Sequence, residues 1–332
     1  MQKTLPLGKI APALLSELLQ LLPAEAPELI VPPGIGRDAA GLKLQNPYIA
    51  VTTDPITFST DRIATYSLAV NMNDVACLGC RPRWYSATLL LPQGTTENQL
   101  RSIWIELAEQ CRHYQVVPIG GHVEVTTAVN VPVLTAQVIG EPIGEGFLDP
   151  GRAKAGDAIL MWQTAGLEGT ALLAYKHEKV LKEHFPAAQI AAMKELLDDP
   201  GICIWPFVKR LLPNPYISAL HDPTEGGIAT ALHEIADASS LGLEIWQDKL
   251  LFDPHTLALC QHYQLNPLGL LSSGVLIIIC KDTIKEAIIK QFAEEPIAHI
   301  GYLTLDKQRI LINSTQSIDL PRFEADEIIK AI

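Results

Sequence analysis

Asp74 stands where a carboxylate is costly. Its surroundings in "VNMNDVACLGCRP", residues 70–82, include Val70, Val75, Ala76 and Leu78, and an unpaired charge inside an apolar helix costs several kcal/mol. No Lys or Arg lies between residues 63 and 80, so a local ion pair is excluded and a cation is the natural partner. Asn71 comes three residues earlier, so its side chain and that of Asp74 can share a helix face. Oxygen donors of this kind suit a hard cation such as Mg2+, which takes carboxylates and waters and bridges to phosphate oxygens. Two further acidic residues fit the same chemistry. Asp54 closes the β-branched run "YIAVTTD", and the carboxyl end of a buried strand is where α/β sheets bind ligands; an Asp-Pro pair is also a plain turn initiator. Asp38 lies in "PGIGRDAAGLKL", whose glycines let backbone approach a ligand closely.

The same stretch offers a second chemistry, the C-x-x-C of Cys77 and Cys80. A structural zinc site needs four ligands, and no second such pair follows. A thioredoxin-type pair opens a helix, where the dipole lowers a thiol pKa. This pair falls at a helix end, where the dipole raises it, so packing is the expected role.

Two glycine pairs add possible anion contacts. In "PIGGHVEVTT", Gly120 and Gly121 precede His122, Glu124, Thr126 and Thr127, a strand pattern with one face lining a site or facing solvent. In "HDPTEGGIATALHEIAD", Thr224 is placed to cap a helix while Gly226 and Gly227 offer N–H groups at its start. His221 and Asp222 flank that start. Capping accounts for Thr224; it does not account for a double glycine, which weakens a helix.

These residues need elements to hold them. The first half alternates strand and helix patterns: a strand at 48–54, a helix at 61–79 stopped by Gly79, a strand at 83–92 and a helix at 96–114. The last opens T-x-x-Q like a capping box. Between about 142 and 157 the sequence becomes "PIGEGFLDPGRAKAGD", rich in turn formers, and the boundary between two domains, 1–145 and 150–332, is expected there. The second half restarts with a strand and a helix, and "VLIIIC" reads as a fully buried strand. Two domains also suit 332 residues.

Composition narrows the function classes. With 25 Lys+Arg against 37 Asp+Glu, the net charge is −12, which argues against nucleic acid or an anionic membrane as the main partner. No apolar run reaches the length of a membrane span. The opening residues read as an amphipathic helix rather than a signal peptide. Six scattered cysteines form no disulfide framework, so a reduced, cytoplasmic location is expected.

Taken together, "GIGRDAA", "VTTDPITF", "AVNMNDVACLGCRPRW", "IGGHVEVT", "AGDAILMWQTAGLEGTALLA" and "HDPTEGGIATALHEIADA" resemble the superfamily of aminoimidazole ribonucleotide synthase. The order is that of the family, and the likeness is greatest to the branch of the hydrogenase-maturation carbamoyl dehydratase HypE and AIR synthase-related proteins. The resemblance implies a PurM-like two-domain fold, α/β plus α+β, whose N-terminal strands pair across a homodimer into a barrel-like sheet. It also implies ATP and Mg2+ as cofactors. Carried over by position, Asp38, Asp54 and Asp74 match the acidic residues of the nucleotide–metal site, and Gly120–Gly121 match the glycine turn, beyond which Thr126 is a candidate to meet phosphate or a metal-bound water. Asp222 with Gly226–Gly227 matches the segment of the second domain facing the active site.

Three departures qualify this. The usual acidic doublet reads Arg37–Asp38, His122 replaces the Asp of the kinase branch, and no cysteine follows Cys280 to carry the thiocarbamate of the maturation enzyme. The expected function is therefore Mg-ATP-dependent phosphorylation or activation of an oxygen on a small-molecule or protein-bound, thiocarboxamide-like acceptor. His122 or Asp222 would orient or deprotonate that acceptor. Two rivals stand beside it: a nucleotide-binding or maturation-partner dimer without turnover, and thiamine-monophosphate kinase, which His122 disfavours.

Overall fold

The computed structural model describes residues 4–23, 26–34, 39–44, 46–57 and 61–332. Asp38 lies outside the described residues. The chain divides into two compact units, one comprising residues 1–76 and 80–145, the other residues 77–79 and 146–332.

In the first unit a five-stranded sheet is built from β1 (Gly8–Lys9), β4 (Ala50–Ile56), β5 (Cys80–Pro92), β6 (Val117–Thr126) and β7 (Val133–Pro142), in the order β1-β6-β5-β7-β4. A small ribbon joins β2 (Leu29–Val31) to β3 (Gly41–Leu42). The helices are α1 (Pro12–Leu21), α2 (Ile63–Cys77) and α3 (Glu97–Tyr114). Strands β5 and β6 run parallel, which α3 makes possible as their crossover. Helix α3 starts as its sequence predicts: Thr96 accepts the N–H of Gln99, and the Gln99 side chain accepts the N–H of Thr96.

Strand pleating assigns faces. Along β4, Ala50 and Ile56 are buried with Thr52 and Asp54 half-buried between them, while Val51, Thr53 and Pro55 are exposed. Cross-strand partners share a face, so Asp54, Ala136, Ala87 and Gly121 line one side of the sheet. Helix α2 lies on that side, where Ser67 meets the Tyr85 hydroxyl at 3.0 Å. The close approach of β5 to β6 explains Gly121, since a Cβ there would sit 2.1 Å from the Ala87 carbonyl oxygen. Gly121→Ala is expected to destabilise the unit by about 1–3 kcal/mol, as overpacking does; urea unfolding at constant pH measures it, and an unchanged midpoint would refute the packing account.

The second unit holds a seven-stranded sheet in the order β14-β13-β10-β12-β8-β11-β9. Its strands are β8 (Ala158–Trp162), β9 (Ile217–His221), β10 (Gly242–Trp246), β11 (Leu276–Cys280), β12 (Ile297–Thr304), β13 (Arg309–Ile312) and β14 (Ser317–Asp319). The helices are α4 (Leu167–Lys176), α5 (Glu178–Leu181), α6 (Ala187–Glu195), α7 (Trp205–Leu211), α8 (Gly227–Ser239), α9 (Pro254–Tyr263) and α10 (Lys285–Gln291). Every residue of β11 is buried, as its unbroken apolar run predicts. The core brings Ile228, Leu232 and Ile235 of α8 together with Ile159, Met161, Ile277 and Ile279 of the sheet. Strands β8 and β9 flank β11, and each leads to a helix whose first cap is a glycine with positive φ, Gly166 at 84° and Gly226 at 75°. No helix among the described residues is long and apolar enough to cross a membrane.

Candidate functional site

In the first unit the carboxylates of Asp54 and Asp74 arrive from two elements, β4 and α2. Asn71, fully buried, accepts the Asp54 backbone N–H on its Oδ1 at 2.9 Å. Its Nδ2 donates to the Ser67 carbonyl at 2.9 Å and, at 3.5 Å, to that of Asp54. Across the same seam the Thr52 hydroxyl donates to Asp74 Oδ2 at 2.6 Å. Asp74 is half-buried and hydrogen-bonded, so the helix does not carry an isolated charge. The sequence pointed to Asn71 as a companion of Asp74; its amide instead holds the backbone of Asp54. Thr52, two residues before Asp54 on the same strand face, carries no signal in the sequence beyond that alternation.

His122 lies elsewhere. Its cross-strand partners are Thr88 and, beyond it, Thr135 and Pro55, which places it on the face opposite Asp54. There His122 Nε2 meets Glu124 Oε2 at 3.1 Å, and Thr126 Oγ1 accepts the Ala128 N–H at 3.2 Å. The sheet of this unit therefore separates His122 from the carboxylate pair. A cavity of about 620 Å3 lies among residues of α1, α3, β5 and β6, lined by Leu15, Leu19, Trp104, Leu107, Tyr85, Ala87, Leu89, Gly34, Ala39 and the segment Gly120–Val123; neither Asp54 nor Asp74 lines it. Its walls are mostly apolar, with Lys9 among the lining residues.

In the second unit the start of α8 differs from its sequence reading. Its N-cap is Gly226, without a side-chain cap, and Thr224 contributes its carbonyl, which accepts the Gly227 N–H at 3.1 Å and the Ser272 N–H at 3.3 Å. The Gly226 N–H goes to Asp326 Oδ2 at 2.7 Å. A carboxylate from a hundred residues away thus takes the place at the helix start where an external anion was expected. The double glycine has its own reasons: a Cβ on Gly226 would lie 2.2 Å from Thr230 Oγ1, and one on Gly227 2.6 Å from the Leu268 carbonyl.

Three buried carboxyls gather near this start. Glu168, in the first turn of α4, accepts the Ser273 N–H at 3.3 Å. Burial pushes its carboxyl up to about 7, against the help of Ser273 and reinforced by the charges of Asp326 and Asp222. Asp326 is also raised by burial, although its backbone hydrogen bonds pull it back. Asp222 is 4% exposed, and Cys77, one of the three residues grouped with this unit, lies with its Sγ 3.4 Å from Asp222 Oδ1. Neither Glu168 nor Asp326 was foreseen, because the register that joins them is set by distant strands. Cys80 is fully buried with its thiol pushed up to about 12 by burial, as a packing residue should be.

Among the described residues no group of three or more His, Cys, Asp or Glu is arranged to hold a metal. Asp54 and Asp74 come from the two elements that meet at the β4–α2 seam, and one or two carboxylates completed by water and phosphate oxygens is the habitual protein share of a Mg2+ site. The donors present are hard oxygens, so the residues fit that ion.

The sequence matches the model of the AIR synthase related protein N-terminal domain over residues 36–141 and that of the C-terminal domain over residues 154–312. Carbamoyl dehydratase HypE of Cupriavidus necator is 28% identical over 261 residues, covering 78% of this chain and 71% of that protein. A crystal structure of the hydrogenase maturation protein HypE in complex with ATP superposes with a TM-score of 0.80 at 26% identity, covering 96% of each chain. Thiamine-monophosphate kinase from Stenotrophomonas maltophilia superposes with a TM-score of 0.73 at 21% identity, covering 92% of this chain and 97% of that one, a likeness of fold.

Proposed function

Because the chain belongs to the AIR synthase related family, we propose that it binds ATP with Mg2+ and uses it to activate an oxygen of a small-molecule or thiocarboxamide-like acceptor by phosphorylation. One observation carries this reading: the Asp74 carboxylate and the backbone of Asp54 are both braced by hydrogen bonds across the seam between β4 and α2. Asp54 and Asp74, with Asp38 assisting, would hold the metal. Bound Mg2+ supplies neutralisation of phosphate charge, the larger part of phosphoryl-transfer catalysis along with positioning. The apolar walls of the cavity would take the base, and Gly120 and Gly121, which line it, would let phosphates approach the backbone. His122, on the opposite face of the sheet from Asp54, falls outside the metal site, and neither it nor Asp222 is assigned an acceptor-handling role. The sheet face exposing Val51, Thr53 and Thr88 would pair with a second copy to form the homodimer.

A second reading is favoured by one observation. The Gly226 N–H already belongs to Asp326, so a phosphate cradle at α8 is filled, which suits a nucleotide-binding dimer without turnover. Calorimetry with ATP, with and without Mg2+, run beside a phosphate-release assay over an acceptor panel, separates the two. Metal-dependent binding with release is expected; binding without release for any acceptor would favour the second reading, and no binding would end both.

A further inference from the structure

Among the described residues strand β4 ends the sheet order, so no described strand fixes its outer side, yet Asp54 sits on it. Two hydrogen bonds cross the seam between β4 and α2 in opposite senses. Thr52 of β4 donates to the Asp74 side chain of α2 at 2.6 Å, and the Asp54 N–H of β4 is taken by the Asn71 side chain of α2 at 2.9 Å. Asn71 is itself tied to the Ser67 carbonyl one turn back and is wholly buried, so its amide has little rotational freedom. From this crossed arrangement we infer that Asn71 and Thr52 are positioning residues that set the spacing of the Asp54–Asp74 pair for a divalent cation.

The inference rests on the Mg-ATP reading above. Its physical basis is that a small, octahedral ion tolerates little drift between its oxygen ligands, while an edge strand and a helix drift apart readily unless bonded together. Neither residue needs to touch the ion. Thr52 fixes the rotamer of Asp74 and orients its second oxygen; Asn71 fixes the backbone from which the Asp54 side chain projects. A merely structural role, capping the unpaired groups of an edge strand, predicts a different outcome. It would lower thermal stability while leaving the metal requirement of the folded protein alone.

The test uses the full chain and titrates Mg2+ at fixed ATP by calorimetry, with ATP alone in chelator as the reference. Thr52→Val keeps the volume and removes only the hydroxyl donor; Thr52→Ser restores it; Asn71→Ala releases the Asp54 backbone. Thr52→Val and Asn71→Ala are each expected to raise the Mg2+ concentration for half-saturation about tenfold or more, the usual cost of losing an outer-shell partner. Metal-free ATP binding should stay unchanged and Thr52→Ser should lie near the parent. Hydrogen exchange at the Asp54 amide should quicken in Asn71→Ala. If Asn71→Ala does not fold, Thr52→Val and Thr52→Ser decide the matter between them. Parent and Thr52→Val titrating alike would overturn the inference while leaving the Mg-ATP reading standing. A parent protein that binds ATP with no metal dependence would sink the Mg-ATP reading and the inference with it.

Discussion

If Asp54 and Asp74 hold Mg2+ as proposed, Asp54→Asn and Asp74→Asn are each expected to lower Mg-ATP turnover by at least about 100-fold, because each would remove a charged oxygen ligand where outer-shell losses alone cost 10–100-fold. The fold should survive both changes. Each side chain is half-buried, and an Asn at 74 still offers an oxygen to the Thr52 hydroxyl, now 2.6 Å from Asp74 Oδ2. Circular dichroism and the thermal midpoint check the fold, and steady-state phosphate release checks the chemistry. Mg2+ in excess should partly rescue the single variants, since a site that keeps one carboxylate binds more weakly rather than not at all. Full activity in both would remove the metal assignment.

The second large effect concerns Glu168. Its carboxyl has an ordinary value of 4.5 and is pushed to about 7 in the folded protein by burial, with the charges of Asp326 and Asp222 adding to the rise. Between those values the folded state holds a proton that the unfolded chain has released. Protonation therefore favours the fold, and stability falls as pH rises from about 4.5 to about 7, then levels off. The shift corresponds to about 3 kcal/mol. Glu168→Gln, which keeps an oxygen to accept the Ser273 N–H, should lose this slope and be more stable than the parent at pH 8. His233 acts in the other sense. Burial lowers it, and its Nε2 donates to the Leu320 and Pro321 carbonyls while Nδ1 faces Arg309, so acid charges a ring the fold keeps neutral. The difference between parent and Glu168→Gln in urea unfolding at pH 5, 6, 7 and 8 isolates Glu168. Parallel curves for the two proteins would refute its raised value.

The two units were legible in the sequence to different depths. The alternation in "YIAVTTD", the T-x-x-Q start of α3 and the unbroken "VLIIIC" each state a local preference that the structure keeps. The motif order identified the family before any geometry. What the sequence concealed is pairing between distant elements. Parity alone could not say that His122 and Asp54 fall on opposite faces, because that depends on the registers through β5 and β7. Nor could "HDPTEGG" disclose that its free N–H would be claimed by Asp326. Thr224 looked like a cap because capping is a local rule, and a remote carboxylate overrode it.

That remote carboxylate also bears on how the protein is made. Asp326 meets Gly226, Glu327 accepts the Asn266 N–H at 2.9 Å, and His233 holds the carbonyls of Leu320 and Pro321. During translation the first unit can close on its own, since its strands are complete by residue 142. Helix α8 has to wait, its first turn open and its histidine unengaged, until some ninety more residues have left the ribosome. A nascent chain stalled between residues 240 and 320 should therefore present a folded front half and a sticky, chaperone-seeking rear half.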